Sequence, residues 1–262
     1  MYLALRLPRT LLLEGEAGVG KTEAARALAS ALSTPLIRLQ CYEGMDSSEA
    51  LYEWNYPRQL LRIRLAEASG EALAEEDLFA RDFLLRRPVL SAIEHPGPLP
   101  AVLLIDELDR ADHEFEAFLL EVLADAAVTI PELGTVRAAH PPAVILTSNR
   151  TRDLHDALKR RCLYHWIDYP SPARELEIVR RRVAEAPAGL AEDVVAALGR
   201  LRAADVQKQP GVAEGIDWLA ALRLLGAERL DADAADRTLG AVLKYREDQE
   251  LVRAAGLEGL GA

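Results

Sequence analysis

A glycine-rich run at residues 15–22 has the residue types that most directly imply chemistry. It matches GxxxxGK[ST] at each required position and reads Gly15, Glu16, Ala17, Gly18, Val19, Gly20, Lys21, Thr22. In such a loop the glycines let backbone N–H groups turn toward phosphate oxygens, and the N-terminus of the next helix adds partial positive charge. Lys21 then reaches the β- and γ-phosphates, while the Thr22 hydroxyl ligates Mg²⁺. We therefore predict that all eight residues contact ATP.

Two adjacent carboxylates, Asp106 and Glu107, follow the apolar run at 101–105. At a strand tip beside the phosphate loop, Asp106 can hold the metal through water, so we predict Thr22 and Asp106 as the Mg²⁺ ligands. Glu107 is predicted to orient and deprotonate the attacking water, which favours hydrolysis over transfer to a small acceptor. The alternative role for this pair is a helix start stabilised by the helix dipole.

Two further polar positions are candidate catalytic residues. Asn149 ends the apolar run that begins at 143, where its amide can touch the γ-phosphate; the alternative is capping of a turn. Arg161 lies in a run of three cations at 159–161, and we predict it as an arginine finger for a neighbouring subunit, with Arg160 as the alternative. Such a run is also typical of a solvated helix end.

The hydrophobic pattern predicts an α/β fold, with a parallel sheet flanked by helices and a small all-helical region after it. Strands are predicted at 10–13, 35–39, 101–105, 143–147 and 164–167, with a β-hairpin formed by 128–130 and 136–138. Helices are predicted at 21–32, 112–125, 173–182, 191–202, 214–225 and 233–255. The aromatic-rich stretch 42–61 is predicted to be irregular. Pro170 and Pro172 mark the change of pattern, so we predict a nucleotide-binding core at 1–169 and a helical lid at 170–262.

The composition narrows the function classes. The net charge of −11 disfavours a nucleic-acid or anionic-membrane surface, since both require clustered positive charge. Cys41 and Cys162 lie far apart without CxxC spacing, which is typical of reduced thiols in a cytoplasmic protein. No run approaches the roughly 18 apolar residues that a membrane span requires. We expect a cytoplasmic protein without membrane insertion.

Taken together, the phosphate loop, LLIDELDRAD, the SN at a strand end and the arginine before the last strand resemble the AAA+ ATPases. The segments LQCYEGMDSSEALYEWNYPRQLLRIR, VTIPELGTVRA and ILTSNRTRDLHDALKRRC resemble the MoxR branch, most of all its CoxD-type members, which are associated with maturation of carbon monoxide dehydrogenase. The resemblance extends over nearly the whole chain, most specifically over residues 11–170.

This resemblance implies a homo-hexameric ring in which an arginine is supplied in trans. It also implies a client metalloenzyme, such as a molybdenum-containing carbon monoxide dehydrogenase, and a partner with a von Willebrand factor A domain. Residues 51–56 match the family's insertion in its second helix, although Tyr52, Trp54 and Tyr56 could instead pack a local hairpin. Residues 129–137 match the hairpin before the first sensor.

Two features depart from the family pattern. About a dozen residues precede the phosphate loop, fewer than is usual, so we expect an adenine pocket that is incomplete or a trimmed start. The stretch 210–218 contains no arginine, and we assign no second-sensor residue.

Three other functions remain open from the sequence. A P-loop GTPase would carry [NT]KxD, which residues 149–152 do not match, and a kinase would need a phosphate acceptor. A DNA-handling AAA+ ATPase of clamp-loader type is disfavoured by the net charge. A nucleotide-binding scaffold with little turnover is the third.

Overall fold

The computed structural model describes residues 1–260 and contains nine β-strands. They are β1 (Leu11–Gly15), β2 (Leu36–Gln40), β3 (Tyr52–Trp54), β4 (Leu84–Arg86), β5 (Val102–Asp106), β6 (Ala127–Ile130), β7 (Gly134–Arg137), β8 (Ala143–Ser148) and β9 (Leu163–Ile167). Five of them form one sheet in the order β2-β5-β8-β1-β9, and β1, β2, β5 and β8 pair in parallel. Separate from this sheet, β3 and β4 form an antiparallel pair across about thirty intervening residues, and β6 and β7 form an antiparallel hairpin.

Thirteen α-helices accompany these strands in the described chain. They are α1 (Tyr2–Arg6), α2 (Lys21–Leu32), α3 (Ser47–Leu51), α4 (Tyr56–Ser69), α5 (Glu75–Leu78), α6 (Pro88–Ile93), α7 (His113–Asp125), α8 (Asp156–Lys159), α9 (Pro172–Arg182), α10 (Ala188–Ala203), α11 (Val212–Leu224), α12 (Ala232–Val242) and α13 (Arg246–Ala255). None of the helices between residues 1 and 260 combines the length and apolar character needed to cross a membrane.

The chain forms two compact units. The first contains residues 1–14 and 21–166, and the second contains Gly15–Gly20 together with the chain from Ile167 onward. In the first unit every residue of β5 is buried, as expected for a central strand of a parallel sheet covered on both faces. The predicted fold class, an α/β parallel sheet followed by a helical region, is confirmed.

The second unit has a helical core of its own. Trp218, Leu219 and Leu222 of α11 are fully buried, and they belong to one cluster with Leu198 of α10 and Leu239 of α12. The indole N–H of Trp218 donates to the Thr238 hydroxyl over 2.7 Å, which satisfies the only polar atom of that ring.

Two of the predicted segments were wrong. The single helix expected at 233–255 is two helices, α12 and α13, because Leu243 adopts an extended conformation that buries its side chain in the helical core. The stretch 42–61 is ordered, with Asp46 and Glu49 forming a capping box for α3 and Asn55 capping α4. The intervening β3 pairs with β4 about thirty residues later, a partner that local composition does not reveal.

The aromatic residues of this segment do not pack a local hairpin, because the partner of β3 is the distant strand β4. Trp54 is buried and meets the rings of Tyr52 and Phe79 edge-on, with centroid distances of 6.2 and 5.2 Å. Tyr56, in contrast, is exposed at the start of α4.

Candidate nucleotide site

Asp106, the last residue of β5, is the centre of a hydrogen-bond cluster. The Thr22 hydroxyl, at the start of α2, lies 3.1 Å from its Oδ2 and 3.3 Å from its Oδ1. The Thr147 hydroxyl, on β8, donates to Oδ1 over 2.5 Å. Asp106 is only 3% exposed, so these partners replace the water that an isolated carboxylate would require. The two predicted metal ligands, Thr22 and Asp106, therefore lie side by side.

Glu107 follows immediately with a left-handed backbone conformation, φ +56° and ψ +47°. Its N–H donates to the Thr147 hydroxyl over 2.9 Å, which holds this uncommon conformation in place. Its carboxylate is partly exposed and pairs with Arg110 at 2.9 Å. The strand end thus directs the Asp106 carboxylate inward and leaves the Glu107 carboxylate accessible to solvent.

The loop Gly15–Gly20 connects β1 to α2. Glycine is required at Gly18 within this loop and at Gly211, which packs against it. Gly18 has φ +78°, and a side chain there would come within 2.8 Å of Glu214 Oε2. Gly211, just before α11, approaches the loop so closely that an added Cβ would lie 2.6 Å from the Ala17 carbonyl oxygen. The start of α11 therefore packs directly on the backbone of the predicted phosphate loop. Lys21, the first residue of α2, is 7% exposed.

Asp109 holds the turn in which Asn149 lies. It is buried, and its carboxylate accepts the N–H of Asn149 over 3.2 Å and both the N–H and the hydroxyl of Thr151 over 2.8 and 2.7 Å. Asn149 follows β8 directly, at the same edge of the sheet as Asp106. The structure thus brings Asn149, Asp106 and Glu107 to neighbouring strand ends.

Arg161 lies at the opposite edge. It precedes β9, whose first residue, Leu163, donates its N–H to the carbonyl of Thr10 just before β1. The guanidinium of Arg161 donates to the Leu120 carbonyl over 3.1 Å. Because the parallel strands have their amino ends here, Arg161 is separated from Asp106 by the length of the sheet. It is not a member of its own subunit's carboxylate cluster.

The Cys41 thiol next to the strand ends has a raised pKa, caused by burial and by the nearby carboxylates. Cys41 is buried and donates its N–H to the Asp106 carbonyl over 2.9 Å. Burial, reinforced by the charges of Asp106, Asp109 and Glu107, raises the pKa of the Cys41 thiol to about 12. Burial likewise raises the pKa of Cys162 to about 11. Both cysteines are free, as the sequence predicted.

The donor set at Asp106 suits a hard divalent cation. A buried carboxylate and a hydroxyl are the oxygen ligands that Mg²⁺ takes from proteins, and the ion fills its other positions with water and phosphate oxygens. No group of three or more His, Cys, Asp or Glu side chains forms a metal cage in the described chain. Thr22 and Asp106 therefore fit a magnesium ion that arrives with its nucleotide.

Three site residues were missed by the sequence analysis, namely Thr147, Asp109 and Arg38. Thr147 has a signal in the sequence, because it is a polar residue at the end of an apolar run, and the register then places it beside Asp106. Asp109 has none, since its partners lie about forty positions away. Arg38 places a cation between the apolar residues Ile37 and Leu39 of β2, and its Nη2 lies 2.7 Å from Asp106 Oδ2.

Comparison with known proteins identifies the family. A family model described as the AAA domain (dynein-related subfamily) matches residues 10–162, more than half of the chain. A structure of the Thermotoga maritima RuvB Holliday junction branch migration motor matches with a TM-score of 0.52 and 17% identity. The alignment covers 91% of this chain and 65% of the RuvB chain, so this chain spans less than two thirds of the length of that protein.

Two mutants of the same RuvB match equally, each with a TM-score of 0.52, 17% identity and coverage of 91% of this chain and 66% of theirs. At this identity the likeness shows the fold alone. No curated protein matches the chain. The chain belongs to the dynein-related subfamily of AAA domains.

Proposed function

We propose that this protein binds ATP with Mg²⁺ and hydrolyses it to remodel or mature a partner protein, in the manner of the MoxR branch of AAA+ ATPases. The observation that carries the ATPase part is the contact between the Thr22 hydroxyl and the buried Asp106 carboxylate. These residues are 84 positions apart, yet their oxygens meet beside the helix that follows the glycine-rich loop. Such a pair has a direct use in holding a metal–triphosphate complex.

The residues divide the work as follows. The backbone N–H groups of residues 15–20 and the Lys21 ammonium bind the phosphates, and Thr22 and Asp106 hold the magnesium ion. The ion supplies positive charge to the β- and γ-phosphates when it is bound. Glu107 accepts a proton from the attacking water, and its exposed carboxylate has the access that this role requires. Asn149, fixed by Asp109, donates to the γ-phosphate.

The position of Arg161 supports a ring. The site lies at the carboxyl ends of the strands and Arg161 at their amino ends, so this arginine has a catalytic use only in a neighbouring subunit. We propose a homo-hexamer in which the core, residues 1–169, meets the neighbour's Arg161, and in which residues 170–262 form the lid. An arginine supplied in trans contributes about 10³- to 10⁵-fold in related enzymes.

Helix α4 supports a protein client. Its buried side carries Gln59 and Ala66, whereas Leu60, Leu61 and Leu65 are each more than half exposed. An apolar face directed outward is typical of a surface that binds another protein. We propose that this exposed face of α4 contacts the client, a metalloenzyme such as carbon monoxide dehydrogenase, and that a von Willebrand factor A domain protein is a further partner.

Subunit mixing tests the ATPase and the ring together. Glu107→Gln removes the base but leaves Arg161 available, whereas Arg161→Ala keeps the base and lacks the arginine. Each variant alone should hydrolyse ATP at least 100-fold more slowly than the unchanged protein, and a 1:1 mixture should regain activity because some sites combine an intact Glu107 with an intact neighbouring Arg161. Arg160→Ala is the matched control and should stay active. Full activity of Glu107→Gln, or no recovery in the mixture, would contradict the assignment.

Capture on the Glu107→Gln variant tests the client. This variant should retain ATP and hold its partner, and a second version that also carries Leu61→Ser and Leu65→Ser on α4 should release it. Proteins recovered only with the first version are the candidates. If both versions recover the same proteins, or if only nucleic-acid processing factors are recovered, the maturation role would be wrong.

A further inference from the structure

Arg38 of β2 forms an ion pair with Asp106, the predicted metal-holding carboxylate. Its Nη2 lies 2.7 Å and its Nε 3.0 Å from the same oxygen, Oδ2. The pair follows from strand register, because Gln40 is opposite Asp106 and Arg38 lies two residues before Gln40, on the same face of the sheet. The Asp106 side chain is 5% exposed, whereas that of Arg38 is 46% exposed. The arginine is thus free to move, and the aspartate is not.

The three partners of Asp106 differ in charge. Thr22 and Thr147 offer neutral hydroxyls, so among these partners only Arg38 neutralises the buried carboxylate. A magnesium ion at Asp106 would also neutralise the carboxylate, and water bound to the ion would donate to the same carboxylate oxygens. Two cations at one buried carboxylate repel each other, so their binding is mutually unfavourable.

We infer that Arg38 is a displaceable counter-ion, which pairs with Asp106 in the nucleotide-free protein and leaves it when magnesium arrives with ATP. This inference rests on the proposed function. Arg38 also donates to the Gln40 side-chain oxygen, which remains a partner after the guanidinium leaves Asp106. The exchange keeps the carboxylate neutralised in both states. Arg38 is a positioning residue, since it acts through Asp106.

Thermodynamic linkage predicts the direction in which nucleotide and magnesium binding change when Arg38 is removed. The arginine lowers the cost of placing triphosphate beside Asp106 without magnesium, because it cancels one negative charge. It also competes with the metal once nucleotide is present. Removing the arginine should therefore weaken metal-free nucleotide binding and lower the magnesium concentration at which binding is half-restored. By linkage, the factor by which magnesium raises nucleotide affinity equals the factor by which nucleotide raises magnesium affinity, and both should be larger in the variant.

Binding titrations with a fluorescent, non-hydrolysable ATP analogue test this without any activity measurement. We expect Arg38→Gln to raise the Kd in EDTA about two- to fivefold, the size expected of one partly exposed ion pair. The half-saturating magnesium concentration at fixed analogue should fall by a similar factor. Arg38→Lys, which keeps the charge, should resemble the unchanged protein. Arg62→Gln is the matched control, because Arg62 on α4 is about as exposed as Arg38 and also pairs with a carboxylate, that of Glu71.

The outcomes separate the inference from the proposed function. If the unchanged protein fails to bind the analogue with magnesium, the proposed function is wrong. If it binds and Arg38→Gln shows the magnesium dependence of the control, the counter-ion role is wrong while ATP binding stands. A higher magnesium requirement in Arg38→Gln would also overturn the inference, since it would mean that Arg38 assists the metal. Circular dichroism and thermal unfolding establish that each variant is folded.

Discussion

Replacing Asp109 with asparagine should damage both stability and turnover, although Asp109 contacts no substrate in our proposal. Its carboxylate accepts two N–H groups and one hydroxyl from the turn after β8, at distances between 2.7 and 3.2 Å. An asparagine can turn its oxygen toward Thr151, but its amide then directs a donor at the N–H of Asn149. One charge-assisted hydrogen bond is lost and a buried donor is left without an acceptor.

The magnitude follows from those two losses. A hydrogen bond to a charged group contributes about 1.5–3 kcal/mol, and a buried donor left unpaired costs about 1–3 kcal/mol. Since the turn can relax in part, we expect Asp109→Asn to lower the free energy of unfolding by about 2–4 kcal/mol. Asn149 would lose its anchor, and a displacement of about 1 Å at a catalytic group reduces turnover by up to about 100-fold.

Urea unfolding and steady-state ATPase assays measure the two effects. Nucleotide affinity should change less than threefold, because the glycine-rich loop does not depend on Asp109. Asp112→Asn is the matched control, since Asp112 caps α7 through the Phe115 N–H and asparagine caps a helix equally well. If Asp109→Asn were as stable and as active as this control, the anchoring role of Asp109 would be refuted.

Two further predictions concern the second unit. Gly211→Ala should lower ATP affinity about tenfold or more, because the new Cβ would lie 2.6 Å from the Ala17 oxygen and force the loop to shift. Gly199→Ala is the control and should bind ATP normally, because the space around Gly199 is open. Equal affinities of the two variants would contradict the close contact. The Arg229 side chain, by donating hydrogen bonds to Asp193, holds the pKa of that carboxyl below its usual value. A carboxyl with a lowered pKa in the folded state stabilises the protein at pH values above its unfolded pKa of about 3.9, and this stabilisation is lost as the pH falls through the folded pKa. The urea midpoints of the unchanged protein and of Arg229→Gln should therefore differ at pH 6 and converge toward pH 3. A difference that stays constant with pH would contradict the pairing.

The sequence predicts those parts of the molecule that local patterns determine. Apolar runs located the five strands of the main sheet to within two residues. The signal is strongest for β5, because a strand buried on both faces leaves little choice of residue type. The glycine-rich loop and the carboxylate pair were found because their chemistry requires fixed residues at fixed spacing. The contact between Thr22 and Asp106 then follows from parallel topology, which brings the carboxyl ends of strands to one edge.

The parts that were missed depend on contacts distant in sequence. The break between α12 and α13 at Leu243 arises because the surrounding helical core buries that side chain, and β3 forms because β4 pairs with it. Arg38 was not recognised because an arginine in a strand is commonly a solvent-exposed residue, and only the register of β2 against β5 directs it at Asp106. Sequence patterns therefore identify which residues can do the chemistry, and topology decides which others restrain them.

The order of the strands explains why Asp106 collects so many partners. Because β5 lies between β2 and β8, its last residue has a strand on each side, and these strands supply Arg38 and Thr147. The strand that leads into the glycine-rich loop, β1, lies beyond β8, so its tip is two strand spacings, about 10 Å, from that of β5. Because β8 lies between them, Asn149 stands between the two tips, where its amide can reach the γ-phosphate in the ATP complex that we propose.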